Sequence, residues 1–532
     1  MPTDRQFYFR ADSVPEDARV IEADVCVYGG CAGGVAAAVQ AARLGYRTVL
    51  LEQNDEVGGM TTHGLGWTDF GRKEAVGGLA LQMYREIGAH YGQETQWTFE
   101  PHVAQGVLDG WLVDAGVEVL RRRYLGSVVM EGDRIREIGL LGGLRVRAKM
   151  FVDASYEGDL LAGAGVRFTV GREANAVYGE QYNGVQARDK HQFDLPVDPY
   201  RRAGAPGSGL LPGIDASPLP PQGSGDTRMQ AYNFRLCMTD QADLRLEFEK
   251  PAGYDELDHE LLLRYVEAGG RDFFSKFDRV VPHKTDTNNH GPVSSDYIGM
   301  NHAWPTAGYE QREQIFQEHV RYHKGWLWTL ARHPRVPADV REKMSVWGLP
   351  KDEFEHSGHW PQQLYVREGR RMVSELVMTE HHVFGREMVP DSVGLASYGM
   401  DSHNCRRYVA AGADGRAVVR NEGDLQIYAR YFDPYPVGYR SMVPRRGEAS
   451  NLLVAVAVSS SHITFGSIRM EPVFMVLGQS AAFAAHLAMS EGGSVQDVSY
   501  GALRPLLEQA GQVLSWTGPR VKDRPDYQPP AA

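Results

Sequence analysis

The sequence predicts an α/β fold in which strands alternate with helices at both ends of the chain and a separate α+β region fills the middle. Three observations predict it. A strand, a glycine-rich turn, a helix of small residues and a second strand follow one another between residues 24 and 52. A wholly apolar run at residues 452–458 is followed by a helical pattern at 474–489. Between them, roughly residues 230–435, the chain is rich in aromatics and mixed in periodicity. With 532 residues, the chain is long enough for several domains and a core able to enclose a cofactor.

The elements follow in order. Residues 1–20 read as a polar arm. Residues 24–28 are a short buried strand, 34–44 a helix and 48–52 a second strand. Val35, Ala38, Val39 and Ala42 recur at helical spacing and are expected to face the sheet, and Gly45 ends the helix as a C-cap glycine does. Residues 196–225 hold 13 Pro or Gly, a density that fits either a mobile loop or a lid over a site. Residues 452–458 read as a strand, with Pro472 near the first turn of the helix that follows. The last sixteen residues contain four prolines and read as an extended tail.

Composition narrows the function. The formal charge of −12 is spread along the chain without a basic patch, which argues against a nucleic-acid partner. No uninterrupted apolar run approaches 18 residues, so no membrane span is expected. The N-terminus lacks the apolar stretch of a signal peptide. Four cysteines (Cys26, Cys31, Cys237, Cys405) form neither a CxxC nor a disulfide framework. A soluble, cytoplasmic enzyme is the expectation.

The informative segment is DVCVYGGCAGGVAAAVQAARLGYRTVLLEQNDEVGG, residues 24–59. Gly29 permits a tight turn off the first strand, and Gly34 lets the helix approach the sheet. The backbone of Gly30, Cys31, Ala32 and Gly33 then leads into a helix N-terminus suited to a pyrophosphate. Glu52, 23 residues after Gly29, is placed to accept hydrogen bonds from a ribose. Cys31 stands where the middle glycine of GxGxxG is usual, and a packing role suits it better than a redox one. Local geometry does not separate FAD from NAD, since both present a diphosphate and a ribose.

Further segments carry a family likeness: GGMTTHGLGWTDFG (58–71), FVDASYEGDLLAGAGV (151–166), MQAYNFRLCMT (229–239), HKTDTNNHGPVSSDYIGMN (283–301) and the long run 439–488. On these the chain resembles the FAD-dependent oxidoreductases of the glutathione-reductase-like class. Within that class it is similar to a bacterial subgroup sometimes labelled xanthan-lyase-related. In that subgroup Thr or Pro often follows the first two glycines, so Cys31 departs from the pattern, and His63 stands where a small residue is commoner. The resemblance implies a noncovalent FAD in a Rossmann-type domain, a three-layer fold around a central parallel sheet assembled from both ends of the chain, with a substrate domain inserted between. The implied boundaries are an arm (1–20), a first FAD-binding part (21–166), a substrate or cap domain (167–435), a second FAD-binding part (436–495) and a C-terminal helix and tail (496–532). Gln53, Gly59, Met60, Asp153 and Arg469 join the residues above as implied cofactor contacts.

A flavin oxidation needs a path for hydride and a base for the heteroatom proton. His462 is the first candidate base, because the resemblance puts its turn beside the flavin ring. Arg469 is expected either to act on the flavin edge or a substrate anion, or to pair with Glu471 and order the turn. The polar run around Lys284, Asp286, Asn289 and His290 suits either a hydroxylated, sugar-like ligand or a loop held by Asx turns. His403 and Asn404 are weaker candidates of the same kind, and Tyr439 and Arg440 are candidates for the pocket wall. His356 and His359 with Glu353 and Glu355, or the pair His381–His382, make poor metal sets, and no metal is expected. No GxSxG with triad context and no P-loop is present, so hydrolase and kinase readings lack their residues. The expected activity is hydride removal from a small polar substrate, with oxygen or another carrier as electron acceptor. A flavin-containing lyase or isomerase without net redox change and an NAD-dependent dehydrogenase are the alternatives.

Overall fold

The computed structural model describes residues 6–524 and 527–530; the first five residues of the expected arm and part of the expected tail lie outside them. Strand β1 (Val20–Tyr28) runs parallel to β2 (Thr48–Leu51), and β3 (Glu118–Leu120) lies parallel outside β2. A hairpin, β4 (Leu125–Glu131) and β5 (Arg134–Leu140), leads into β6 (Arg145–Asp153), which lies parallel on the other side of β1. Strand β7 (Leu452–Val454) also pairs parallel with β6. Strand β6 therefore branches: its first residues pair with β5 and its last, Phe151–Asp153, with β7. The result is a central, largely parallel sheet built from both ends of the chain.

Alternate residues of β1 enter different layers: Val25 and Val27 join the large core, Cys26 and Tyr28 a second apolar cluster on the opposite face. Burial on both faces explains why the end of the strand, Val25–Tyr28, reads as a continuous apolar run. Helix α1 (Ala32–Arg43) is buried from Ala32 to Ala41, not only on its sheet face. The reason is a second helix lying across it. With α2 (Tyr309–Arg332) and α3 (His462–Ile468) preceding it, α4 (Glu471–Ser490) packs so closely on α1 that a Cβ on Gly478 would lie 1.9 Å from the Gly33 carbonyl oxygen. Helix α4 is long and apolar enough to cross a membrane by length and composition, yet 78% of its apolar window is buried inside the fold.

Four expectations change. The arm is not simply polar: Phe7, Tyr8 and Phe9 are buried, the Tyr8 ring sits 4.8 Å from Trp304, and the Tyr8 and Phe9 N–H groups donate to Glu313 of α2. The strand expected at 452–458 ends at Val454, where pairing with β6 stops; Ala455–Val458 continues as buried irregular chain. The polar turn expected after it contains α3, whose N-cap Ser461 accepts from the Thr464 N–H. The Pro/Gly-rich segment is tied to the fold, because Ile214–Asp215 pairs with Arg407 and Tyr408.

Candidate functional site

The site has two halves. At the first, Gly29 (φ +99°) turns the chain off β1, and a Cβ there would lie 2.5 Å from the Ala154 carbonyl carbon. On Gly34 a Cβ would sit 1.9 Å from the Gly29 carbonyl oxygen, so only glycine lets α1 start this close to the sheet. No side chain caps α1, and its leading N–H groups form an anion-seeking end. Glu52 is buried and accepts from the N–H groups of Gly30 (2.5 Å) and Asn54 (2.7 Å). Burial raises its pKa while those N–H groups pull it back. Cys31 donates its thiol to the Ala154 carbonyl (3.2 Å), and burial holds that thiol well above its ordinary range, which fits packing and not redox chemistry.

A short helical turn, Gly59–Thr62, lies against this corner. The Met60 N–H donates to the Tyr156 hydroxyl (2.9 Å), which donates in turn to Glu471 (2.8 Å). Thr61 gives Glu471 a second hydrogen bond (2.8 Å). Burial pushes the Glu471 carboxyl up to about 7. Arg469, two residues earlier, reaches the other half of the site, so the ion pair considered for Arg469 and Glu471 is not formed.

The second half is a chamber of paired charges. Arg469 donates to the Tyr365 hydroxyl and to Asp401, both at 2.9 Å. His403 bridges Asp401 (3.1 Å) and Asp296 (2.8 Å), Asp296 pairs with Arg367 (3.0 Å), and Arg235 pairs with Asp286 (2.7 Å). The guanidinium carbons of Arg367, Arg235 and Arg469 lie 4.6, 5.6 and 5.8 Å from the Tyr365 ring centroid. Each guanidinium keeps a buried nitrogen without a partner among the described residues: Arg235 Nη1, Arg367 Nε and Arg469 Nε. Burial opposes ionisation of Asp401, yet Lys190, His403 and Arg469 hold its pKa well below the carboxylate range.

The other expected residues fall as follows. His462 is buried beside the chamber with both ring nitrogens engaged, Nδ1 with Glu368 (2.7 Å) and Nε2 with Ser402 (3.0 Å). Burial, with Arg371 and Arg172 nearby, lowers its pKa to about 3. Such an imidazole is neutral and has no free lone pair for a substrate proton. His290 lies towards the surface, paired with exposed Asp272 (2.8 Å) and edge-on to His191. Three predicted cofactor contacts do other work. Gly33 faces the Phe474 carbonyl of α4, and Gln53 donates to Tyr28 (2.8 Å). Asp153 spends its oxygens on Ser155 and the Leu161 N–H.

Within the polar run at 283–292, Lys284–Thr287 is a buried strand, while His283 is exposed and residues 288–292 are irregular chain. Lys284 stands 2.8 Å from each of Glu100, Asp352 and Glu353. Glu100, His102 and Glu353 are spaced as metal ligands would be, and the Lys284 ammonium already supplies a cation there. Asn289 is buried, and its main-chain N–H donates to Asn288. Asn404 offers its carbonyl to the Ala231 N–H. Tyr439 bonds the Val495 carbonyl and Arg440 pairs with Asp391, both in a separate surface cleft. His356 lies near Glu56, His359 bonds the Glu353 carbonyl, His381 the Tyr178 carbonyl, and His382 closes a capping box with Thr379.

The family model described as FAD dependent oxidoreductase matches residues 24–507. The chain belongs to that family. FAD is therefore the cofactor, and the corner fits it: an uncapped helix end, a glycine turn that any Cβ would block, and a buried carboxylate beside them. Local geometry alone left NAD open; family membership closes that alternative. No curated protein matches this oxidoreductase. Among solved structures it is similar to L-proline dehydrogenase from P. horikoshii, at 15% identity over 30% of this chain and 59% of that one, with a TM-score of 0.24. Thermovibrio ammonificans THI4 matches at 22% identity over 29% and 66%, TM-score 0.22. NikD, an amino acid oxidase of nikkomycin biosynthesis, matches at 17% over 29% and 57%, TM-score 0.21. The oxidoreductase spans less than two thirds of each of these chains.

Sequence reasoning missed Arg235, Asp296, Tyr365, Arg367 and Asp401. Arg235 and Asp296 stand in segments already singled out, MQAYNFRLCMT and HKTDTNNHGPVSSDYIGMN, and Asp401 lies two residues before His403, but nothing local marks an aspartate as the partner of an arginine far away in sequence.

Proposed function

We propose that this oxidoreductase removes a hydride from a small, hydroxylated, sugar-like substrate held in the chamber. The observation that carries this reading is the set of alternating Arg–Asp pairs around Tyr365, in which three buried guanidiniums retain unused N–H groups. Positive and negative groups nearly balance there, which suits a neutral ligand rich in hydroxyls, recognised by many directed hydrogen bonds, better than a strongly charged one.

Gly29, Gly30, Cys31, Ala32 and Gly34, with Glu52, Gly59 and Met60, would hold the FAD. Bound there, FAD supplies the hydride-accepting ring. Glu471, uncharged when protonated, spares the diphosphate a negative neighbour. Arg469 contacts the substrate, and its pairing with Asp401 and Tyr365 fixes its direction. His462 acts as a positioning residue, tying Ser402 to Glu368. The four cysteines are buried and free, which supports a reducing, cytoplasmic setting. We keep the division at 1–20, 21–166, 167–435, 436–495 and 496–532 as our reading of the domains, supported by the pairing of β7 with β6.

The test is anaerobic mixing of the purified yellow protein with a panel of aldoses, polyols and 2-hydroxy acids. Bleaching of the flavin with appearance of the matching carbonyl product is the expected result. Turnover to a product of unchanged oxidation level would transfer the assignment to a lyase or isomerase.

A further inference from the structure

The segment that leaves the cofactor corner after Thr62 enters the chamber and leads to Asp69. Its path is pinned: the Trp67 N–H donates to Asp286 (2.9 Å), and the Thr68 hydroxyl bonds that of Tyr84. The next residue, Asp69, adopts φ +53°, in the left-handed region that aspartate and asparagine enter more readily than other side chains apart from glycine.

The Asp69 carboxylate is also unlike its neighbours. Asp286, Asp296, Asp401 and Asp424 are each tied to a cation. Among the described residues Asp69 has no hydrogen bond and no ion pair, although it lies within electrostatic range of Arg235, Arg469, Asp401 and Lys276. It also acts on Asp286, Tyr84 and Tyr398. Its side chain is only half-buried. His403 and His462 have both ring nitrogens taken, whereas the Asp69 carboxylate keeps its lone pairs.

We propose that Asp69 is the catalytic base, accepting the proton of the substrate hydroxyl as the hydride leaves the carbon that bears it. This rests on the hydride-removal reading above. The O–H and C–H bonds break and a C=O bond forms. The hydride carries two electrons to the oxidised flavin, the proton becomes the Asp69 O–H, and it is released to solvent before the next turnover. Burial raises the Asp69 pKa above that of an ordinary aspartate, which strengthens it as a proton acceptor.

Asp69→Asn is the test, because asparagine tolerates the left-handed conformation and keeps the shape. The FAD-loaded wild type and variant are compared first without substrate, by spectroelectrochemical titration of the flavin midpoint potential from the ordinary carboxylate range up through neutral pH. The wild-type curve should bend where Asp69 ionises, and the bend should vanish in the variant; superimposable curves would overturn the proposal. The second arm uses the panel compound that bleaches wild type fastest. The bleaching rate should fall about 10²–10⁴-fold, with equilibrium binding of that compound to the oxidised enzyme unchanged and partial recovery in Asp69→Glu. Bleaching at the wild-type rate would also overturn it. Should no panel compound bleach the wild type, the substrate reading fails on its own, while the potential curves still decide the role of Asp69.

Discussion

The corner and the chamber solve opposite problems. The corner is made by removing side chains: Gly29 and Gly34 bring backbone within contact distance of backbone, and the ligand meets N–H groups. Its parts lie within residues 29–34, completed by Glu52, because a turn and a helix start are local events. The chamber is made by adding side chains, and its charged pairs join residues as distant as Arg469 and Asp401, or Arg235 and Asp286. Geometry that excludes atoms is written locally; geometry that pairs charges is written across the whole chain.

The contrast breaks first at the corner. Gly34→Ala places a methyl 1.9 Å from a backbone oxygen that no rotamer change can move. Neither folded nor flavin-loaded protein is expected, and a soluble yellow variant with an unchanged melting temperature would show that this corner yields more than the contacts allow.

A smaller effect belongs to the strap between the halves. Glu471 is neutral in the folded and unfolded chains well below its ordinary value of 4.5; between there and about 7 only the unfolded chain ionises, so stability falls as pH rises through that window. The shift corresponds to about 3 kcal/mol. Glu471→Gln should therefore match wild type in acid and melt higher above neutrality. Parallel melting curves for the two proteins across pH would remove Glu471 as the source.

The smallest effect is expected at the edge of the chamber. His290 makes a partly exposed pair with Asp272, and such pairs contribute about 0–1 kcal/mol. His290→Gln should leave both the melting temperature and the flavin bleaching rate nearly unchanged; a large loss of rate would extend the chamber outwards to the surface.

The sequence reveals the two regions unequally. The strand–turn–helix order and the C-terminal helix after Pro472 were legible because periodicity and glycine placement are local signals. Helix α3 was not, since seven residues starting at a serine cap resemble a polar turn. His462 and His403 show the same limit within the site. His462 drew attention by its position but spends both nitrogens on neighbours, whereas His403, ranked lower, links two carboxylates of the chamber. Which neighbours a histidine meets depends on strands and loops that only the tertiary fold assembles.

The branching of β6 has a bearing on synthesis. Its last residues wait for a partner that begins at Leu452, and α1 waits for a cover that begins at Glu471. A nascent chain thus displays an open sheet edge and a bare apolar helix until residues 452–490 have emerged, and loop closure across the intervening region comes late. Truncations that remove residues 452–490 are expected to yield aggregating, colourless protein.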